Sequence, residues 1–195
     1  ALASRMACES FLNAAVTGDA ADLHGRLHAA LAAANAAIAN KVDANPLLSG
    51  MGSTLVGAAF SAEGIEWISV GDSPLYLYRR GEIAILNEDH SLAPELDRLV
   101  AAGRLSEAEA RRDPRRHMLR SAVTGDEIDM IDMSQRPLPL EQADYVVLAS
   151  DGIETLDTQE IARIIQGYGA DGSEAVACAL IRAVEAVRQP HQDNA

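Results

Sequence analysis

Aromatic side chains are scarce in this chain: one Trp, four Tyr and two Phe among 195 residues. A core with so few rings must close through smaller side chains. Hydrophobic residues make up 48% of the sequence, much of that Ala, so helices packed closely against their neighbours are expected. The chain holds only two cysteines, Cys8 and Cys178, too few for a disulfide scaffold. Both fall in apolar helical patterns, where the expectation is buried, reduced thiols of a cytosolic protein. No apolar run approaches the roughly 20 residues of a membrane span, and no basic leader precedes Ala1. Neither an anchor nor a signal peptide is expected, and the predicted location is the cytoplasm. Positive charge is also short, 16 Lys and Arg against 29 Asp and Glu, for a net charge of -13. Nucleic acids and anionic membranes carry the same sign, so neither is expected as a partner. A cation-filled site suits the chain better. Its length fits a single domain spanning residues 1–195.

Apolar residues recur at helical spacing over 1–16 and 20–42, predicting two Ala-rich helices. After Asn45-Pro46 come four short segments rich in β-branched and apolar residues, 53–60, 65–70, 75–78 and 82–86. Turn chemistry separates them (Glu63-Gly64, Gly71-Asp72-Ser73-Pro74, Arg80-Gly81), so an antiparallel meander is expected. Residues 88–125 turn polar and helical and read as an insertion. Within it Ser106-Glu107-Ala108-Glu109 is a capping box for a short helix ending before Pro114. Strand character returns at 128–133 and 145–150, followed by amphipathic helices at 158–168 and 173–187. Helices segregated from antiparallel strands predict an α+β layered domain rather than a doubly wound parallel sheet.

Three aspartates are read as standing immediately after or between strand segments: Asp72 in Val70-Gly71-Asp72-Ser73, Asp151 in Leu148-Ala149-Ser150-Asp151-Gly152, and Asp193 in Gln192-Asp193-Asn194. Strand ends aim side chains rigidly, and hard divalent cations select carboxylate oxygens while keeping several waters. Each aspartate alone could equally cap a turn.

Five blocks follow one another along the chain: Ser49-Gly50-Met51-Gly52-Ser53-Thr54, Val70-Gly71-Asp72-Ser73-Pro74-Leu75-Tyr76-Leu77, Asn87-Glu88-Asp89-His90-Ser91-Leu92, Ala149-Ser150-Asp151-Gly152-Ile153 and Asp193-Asn194. In that order they resemble the metal-dependent protein phosphatase family, the PPM or type 2C phosphatases, of bacterial type. The segment Met118-Leu119-Arg120-Ser121-Ala122 lies between the third and fourth. The resemblance implies an α+β fold, a two-layer antiparallel β-sandwich flanked by helix pairs, with terminal strands missing. It implies hydrolysis of phosphoserine and phosphothreonine in proteins by a metal-activated water, with two or three Mn²⁺ or Mg²⁺ ions. Asp151 and Asp193 would hold the two-metal centre and Asp72 a third position. The expected partners are a phosphorylated protein substrate and a cognate Ser/Thr kinase system.

The family's first acidic motif has no counterpart here. With it go the Asp bridging both metals, the His proposed as general acid and a phosphate-binding Arg, all expected upstream of residue 1. Pro74 replaces the Arg that many members carry. An alternative that keeps the fold is a catalytically inactive relative acting as a phosphoprotein- or regulator-binding module. The resemblance makes 88–125 the flap beside the active site. From residue 98 to 120 seven Arg face three acids, a balance of +4. Guanidinium forks suit phosphate oxygens, so Arg115, Arg116 and Arg120 are candidates to meet substrate, or else they pair with the acidic body. His24 and His28 are expected on a solvated helix face. His90 is expected to be a structural hydrogen-bonder, and His191 a neighbour of the metal ligands.

Overall fold

The computed structural model describes residues 2–18 and 22–187. It divides into two compact units, one of residues up to 72 with 88–138, the other of 73–87 with residues from 139 onward.

In the first unit, α1 (Leu2–Thr17) and α2 (Leu23–Ala44) pair along their lengths and cover a sheet of β1 (Leu55–Ser61), β2 (Gly64–Val70) and β5 (Asp132–Met133), ordered β1-β2-β5 and antiparallel throughout. Ala3, Ala7, Ala30 and Ala34 are all buried, and with Phe11, Leu31, Ile38 and Ile68 they form one core. Small side chains let backbones approach closely: a Cβ on Gly57 of β1 would lie 2.4 Å from the Phe11 ring. Asp22 caps α2, its carboxylate accepting the Gly25 N–H at 2.6 Å. The unit also holds α3 (Ala93–Ala101) and α4 (Glu107–Arg112). The capping box at Ser106 is present, with Ser106 Oγ accepting the Glu109 N–H and the Glu109 carboxylate accepting the Ser106 N–H.

In the second unit, β3 (Leu75–Arg79) lies between β4 (Glu82–Ile85) and β6 (Tyr145–Leu148) in an antiparallel sheet. One face carries Tyr76, Tyr78, Ile83, Tyr145 and Val147, packed with α5 (Thr158–Tyr168) and α6 (Ser173–Val187) through Ile161, Ile165, Val176, Leu180 and Val184. Tyr78 and Tyr145 meet edge to face with centroids 6.3 Å apart, and the Tyr145 hydroxyl donates to the Gly169 carbonyl at 2.6 Å. A capping box on Asp157 starts α5.

Three sequence expectations need correction. The four leading strands are not one meander: the β1–β2 and β3–β4 hairpins belong to different sheets. The groups that a hairpin across Gly71-Asp72-Ser73-Pro74 would pair with β2 are taken elsewhere. The Leu75 N–H donates to Asn87 Oδ1 at 2.7 Å, and the Ser73 carbonyl accepts from Asn87 Nδ2 at 2.9 Å. The strand expected over 128–133 shrinks to Asp132–Met133. Ser121 Oγ accepts the Met130 N–H and donates to the Met130 carbonyl, so a side chain replaces the ladder there. Cys8 and Cys178 are exposed, not buried. Cys8 follows Ala7 and Cys178 lies two past Val176, about 100° and 200° around helices whose buried faces those neighbours define. Among the described residues no helix is long and apolar enough to cross a membrane.

Candidate functional site

The chain leaves β2 at Val70 and passes through Gly71 to Asp72. Gly71 takes φ +102°, and a Cβ there would lie 2.4 Å from the Thr54 methyl. Glycine alone meets both demands without strain. The Thr54 side chain of the first block fills the space glycine leaves in the second.

The third block clamps the same residue. The Gly71 carbonyl accepts the His90 N–H at 3.1 Å, and the Gly71 N–H donates to His90 Nδ1 at 3.2 Å. His90 is 1% exposed. A backbone N–H can only donate, so Nδ1 is the unprotonated nitrogen and the ring proton sits on Nε2. Burial holds the His90 pKa below its ordinary value, and the Arg120 charge acts in the same direction. Asp132, Glu88 and Asp89 oppose them without prevailing.

Neighbouring groups secure the clamp. The His90 carbonyl accepts the Arg120 N–H at 2.8 Å, Ser91 bridges to Leu119, and the Leu92 N–H donates to Met118 O. Asp89 Oδ1 accepts the Ser91 N–H at 2.7 Å, and Ser91 Oγ accepts the Ala93 N–H at the start of α3. Asp132 Oδ2 accepts both Trp67 Nε1–H at 3.0 Å and the Glu88 N–H at 3.2 Å. The Asn87–Leu92 block is thus a set of backbone fasteners. Sequence reasoning assigned a structural role to His90 but missed Thr54 and Asn87. Their membership in the ordered blocks was the signal available.

In the second unit β6 leads through Ala149, whose N–H donates to the Pro74 carbonyl at 3.2 Å, and Ser150 to Asp151. Asp151 opens a 3-10 turn, Asp151–Thr155, in which Gly152 and Ile153 are buried while Asp151 remains half-buried. Thr155 Oγ1 closes the turn by donating to the Gly152 carbonyl at 2.7 Å.

The structure places Asp72 in the first unit and Asp151 in the second. Asp193 and His191 lie outside the described residues. Among the described residues no group of three His, Cys, Asp or Glu side chains gathers closely enough to hold a metal. Asp72 and Asp151 are each half-buried carboxylates on a fixed turn. Their hard oxygens fit Mn²⁺ or Mg²⁺, which complete sparse protein shells with water and phosphate oxygens.

The candidate flap arginines all meet acids of their own segment. Arg115 forks onto Asp113, with Nη2 donating at 2.8 Å, and holds that carboxyl down at about 2. Arg116 donates from both terminal nitrogens to Asp97, at 2.8 and 3.1 Å, and lowers its pKa. Arg120 Nη1 stands 3.7 Å from Glu95, beyond hydrogen-bond range. His24 and His28 are exposed on α2, with His24 Nδ1 3.2 Å from the Ser134 carbonyl oxygen.

No family model matches the chain. It is 35% identical over 135 residues to the serine/threonine protein phosphatase PstP of Mycobacterium tuberculosis, covering 68% of this chain and 24% of that protein. It is 32% identical over 109 residues to the serine/threonine phosphatase stp of Listeria welshimeri, covering 56% of this chain and 41% of that one. The chain therefore spans less than half the length of either relative. Among solved structures, the catalytic domain of the serine/threonine protein phosphatase PstP in complex with two manganese ions superposes with a TM-score of 0.75 at 28% identity, over 97% of this chain and 76% of that one.

Proposed function

Since the chain belongs to the metal-dependent protein phosphatase family, we propose that it hydrolyses phosphoserine and phosphothreonine esters in proteins, using Mn²⁺ or Mg²⁺. The observation that carries this reading is the placement of Asp72 and Asp151. Each stands on a turn next to a glycine after a strand, in a fold shared with a phosphatase domain that holds two manganese ions. Bound divalent cations would supply an acidified water as nucleophile and offset charge on the phosphoryl oxygens.

The roles of the chain's own residues follow from their chemistry. Asp151, together with Asp193, would hold the paired cations, and Asp72 would offer its carboxylate to a third. Residues 88–125 act as the flap, where Arg120 is the guanidinium with least to give up in receiving a phosphate group. Arg115 and Arg116 are already satisfied by bidentate carboxylates, so a phosphate must displace Asp113 or Asp97 to reach them. Arg120 has no such fork to give up. The natural substrate is a phosphoprotein written by a Ser/Thr kinase of the same cell, and the reaction takes place in the cytoplasm.

The test is hydrolysis of a phosphothreonine peptide and of p-nitrophenyl phosphate with and without Mn²⁺, beside Asp151→Ala. Turnover that requires Mn²⁺ and disappears in the variant is the expected result. Folded protein with no metal-dependent turnover would leave a phosphoprotein-binding module as the better reading.

A further inference from the structure

His90 is a fully buried imidazole that the proposed chemistry does not use, and both of its hydrogen bonds to Gly71 end on the peptide groups leading into Asp72. We propose that His90 is the positioning residue for Asp72: its main-chain N–H and its Nδ1 grip Gly71 from two sides and fix the direction in which the Asp72 carboxylate leaves β2. The proposal rests on the reading of Asp72 as a cation ligand.

Three observations converge on it. Gly71 sits at φ +102° with no Cβ of its own, so neither rotamer preference nor side-chain packing at residue 71 holds that angle. The Thr54 side chain crowds the space where a Gly71 Cβ would lie, a contact that excludes other residues but sets no hydrogen-bond direction. The two hydrogen bonds therefore supply the directional restraint. His90 is in turn immobilised, because its carbonyl accepts the Arg120 N–H, and Asp132 takes the N–H of Glu88 two residues earlier. An anchored imidazole accepting from the residue beside a ligand can orient that ligand without touching the cation, and losing such outer contacts typically costs about 10- to 100-fold in metal affinity.

The geometry also specifies which substitute can work. The Oδ1 of Asn overlays the position of Nδ1, whereas the amide of Gln reaches that of Nε2. His90→Asn retains an acceptor for the Gly71 N–H, His90→Gln moves it one bond too far, and His90→Phe keeps the ring but offers no acceptor.

The experiment uses the protein itself, with Mn²⁺ as the probe. In the metal-free wild type, a ¹⁵N–¹⁵N coupling across the hydrogen bond between the Gly71 amide and His90 Nδ1 is expected, with Nδ1 resonating as an unprotonated nitrogen. Hydrogen exchange of the Gly71 amide should be slow in wild type and His90→Asn and at least about tenfold faster in His90→Gln and His90→Phe. Mn²⁺ titration should show one binding step weakened about tenfold or more in the same two variants and restored in Asn. Slow Gly71 exchange with unchanged Mn²⁺ binding in folded His90→Phe overturns the proposal, as does a folded Asn variant that behaves like Phe. If the variants do not fold, the wild-type coupling decides, and its absence counts against the clamp. Because exchange and coupling are read without substrate, an inactive protein with an intact clamp refutes the phosphatase reading and not this one.

Discussion

The two units solve the same problem, covering one face of a three-stranded antiparallel sheet with a helix pair, by opposite packing strategies. In the first, α1 and α2 approach through alanines, and glycines stand where other chain segments come closest: Gly57 under Phe11, and Gly125 with its ideal Cβ 2.7 Å from the Ala39 backbone. In the second, the space is filled by tyrosines, isoleucines and valines of β3, β6, α5 and α6. Close backbone approach leaves no room for added atoms, whereas a core of large side chains depends on each one to exclude voids. The two units should therefore fail under opposite kinds of substitution. The sequence provides a separate reporter for each, since Trp67 is the only tryptophan and lies in the first unit, while Tyr76, Tyr78, Tyr145 and Tyr168 all lie in the second.

The largest effect expected is from Ile161→Ala. Ile161 is fully buried between α5 and the tyrosine face, and truncation should cost about 2 to 5 kcal/mol through lost burial and a residual cavity. Denaturant titration followed by tyrosine signal and near-UV CD checks it; a loss under about 1 kcal/mol would mean the layer collapses around the void and is not rigidly packed. Gly125→Ala should come next, at about 2 to 4 kcal/mol. It forces a Cβ against main chain that cannot swing aside and places alanine at φ +95°. Trp67 fluorescence reads this one, and a neutral result would show that α2 can retreat from the 118–129 segment. Smaller again are the caps. Asp157→Ala removes the cap of a helix packed on the core, and about 1 kcal/mol of stability should go with it. Ser106→Ala should instead speed amide exchange within α4 and leave the Trp67 transition in place, because α4 is a short, mostly exposed helix.

Periodicity alone marked α5 and α6 over their full observed spans and placed α1 and α2 within three residues at their starts. Hairpin turns were equally visible at Glu63-Gly64 and Arg80-Gly81, where the loops are short and strand pairing is local. The allocation of hairpins to separate sheets was not visible, because it depends on Asn87 reaching back to Ser73 and Leu75, a contact with no periodic signature. The shortening of β5 rests likewise on a single hydroxyl, that of Ser121. Asp72 and Asp151 could be singled out because ordered blocks frame them. The reason Gly71 and His90 belong to those blocks became legible only from the distances between them. The cysteines misled because an Ala-rich helix looks apolar all round, and only packing reveals which face is buried.

The smallest and most specific effect is a pH dependence that separates the units. Burial lowers the pKa of His90 in the folded first unit, so between the unfolded value of about 6.5 and the lower folded value the unfolded chain binds more protons. Stability from this residue is thus fully present above about pH 6.5 and declines as pH falls toward the folded pKa. The carboxyls of Asp97, Asp113 and Asp144 are held low by Arg116, Arg115 and Arg79. Their contribution persists until pH falls below about 4, where unfolded carboxylates take up protons. The His90 window is therefore open before any of these acids titrates. His90→Asn keeps an acceptor for Gly71 but carries no titrating ring, so the stability difference between wild type and variant, read at Trp67, should level off above about pH 6.5 and shift against wild type as pH falls below it toward the range of the carboxyls. The second unit contains no histidine among its described residues, so its tyrosine signal should show no such difference at constant first-unit occupancy. Parallel wild-type and variant curves across that range would mean that His90 takes up its proton as readily in the fold as in the unfolded chain, which burial and its acceptance of the Gly71 N–H oppose.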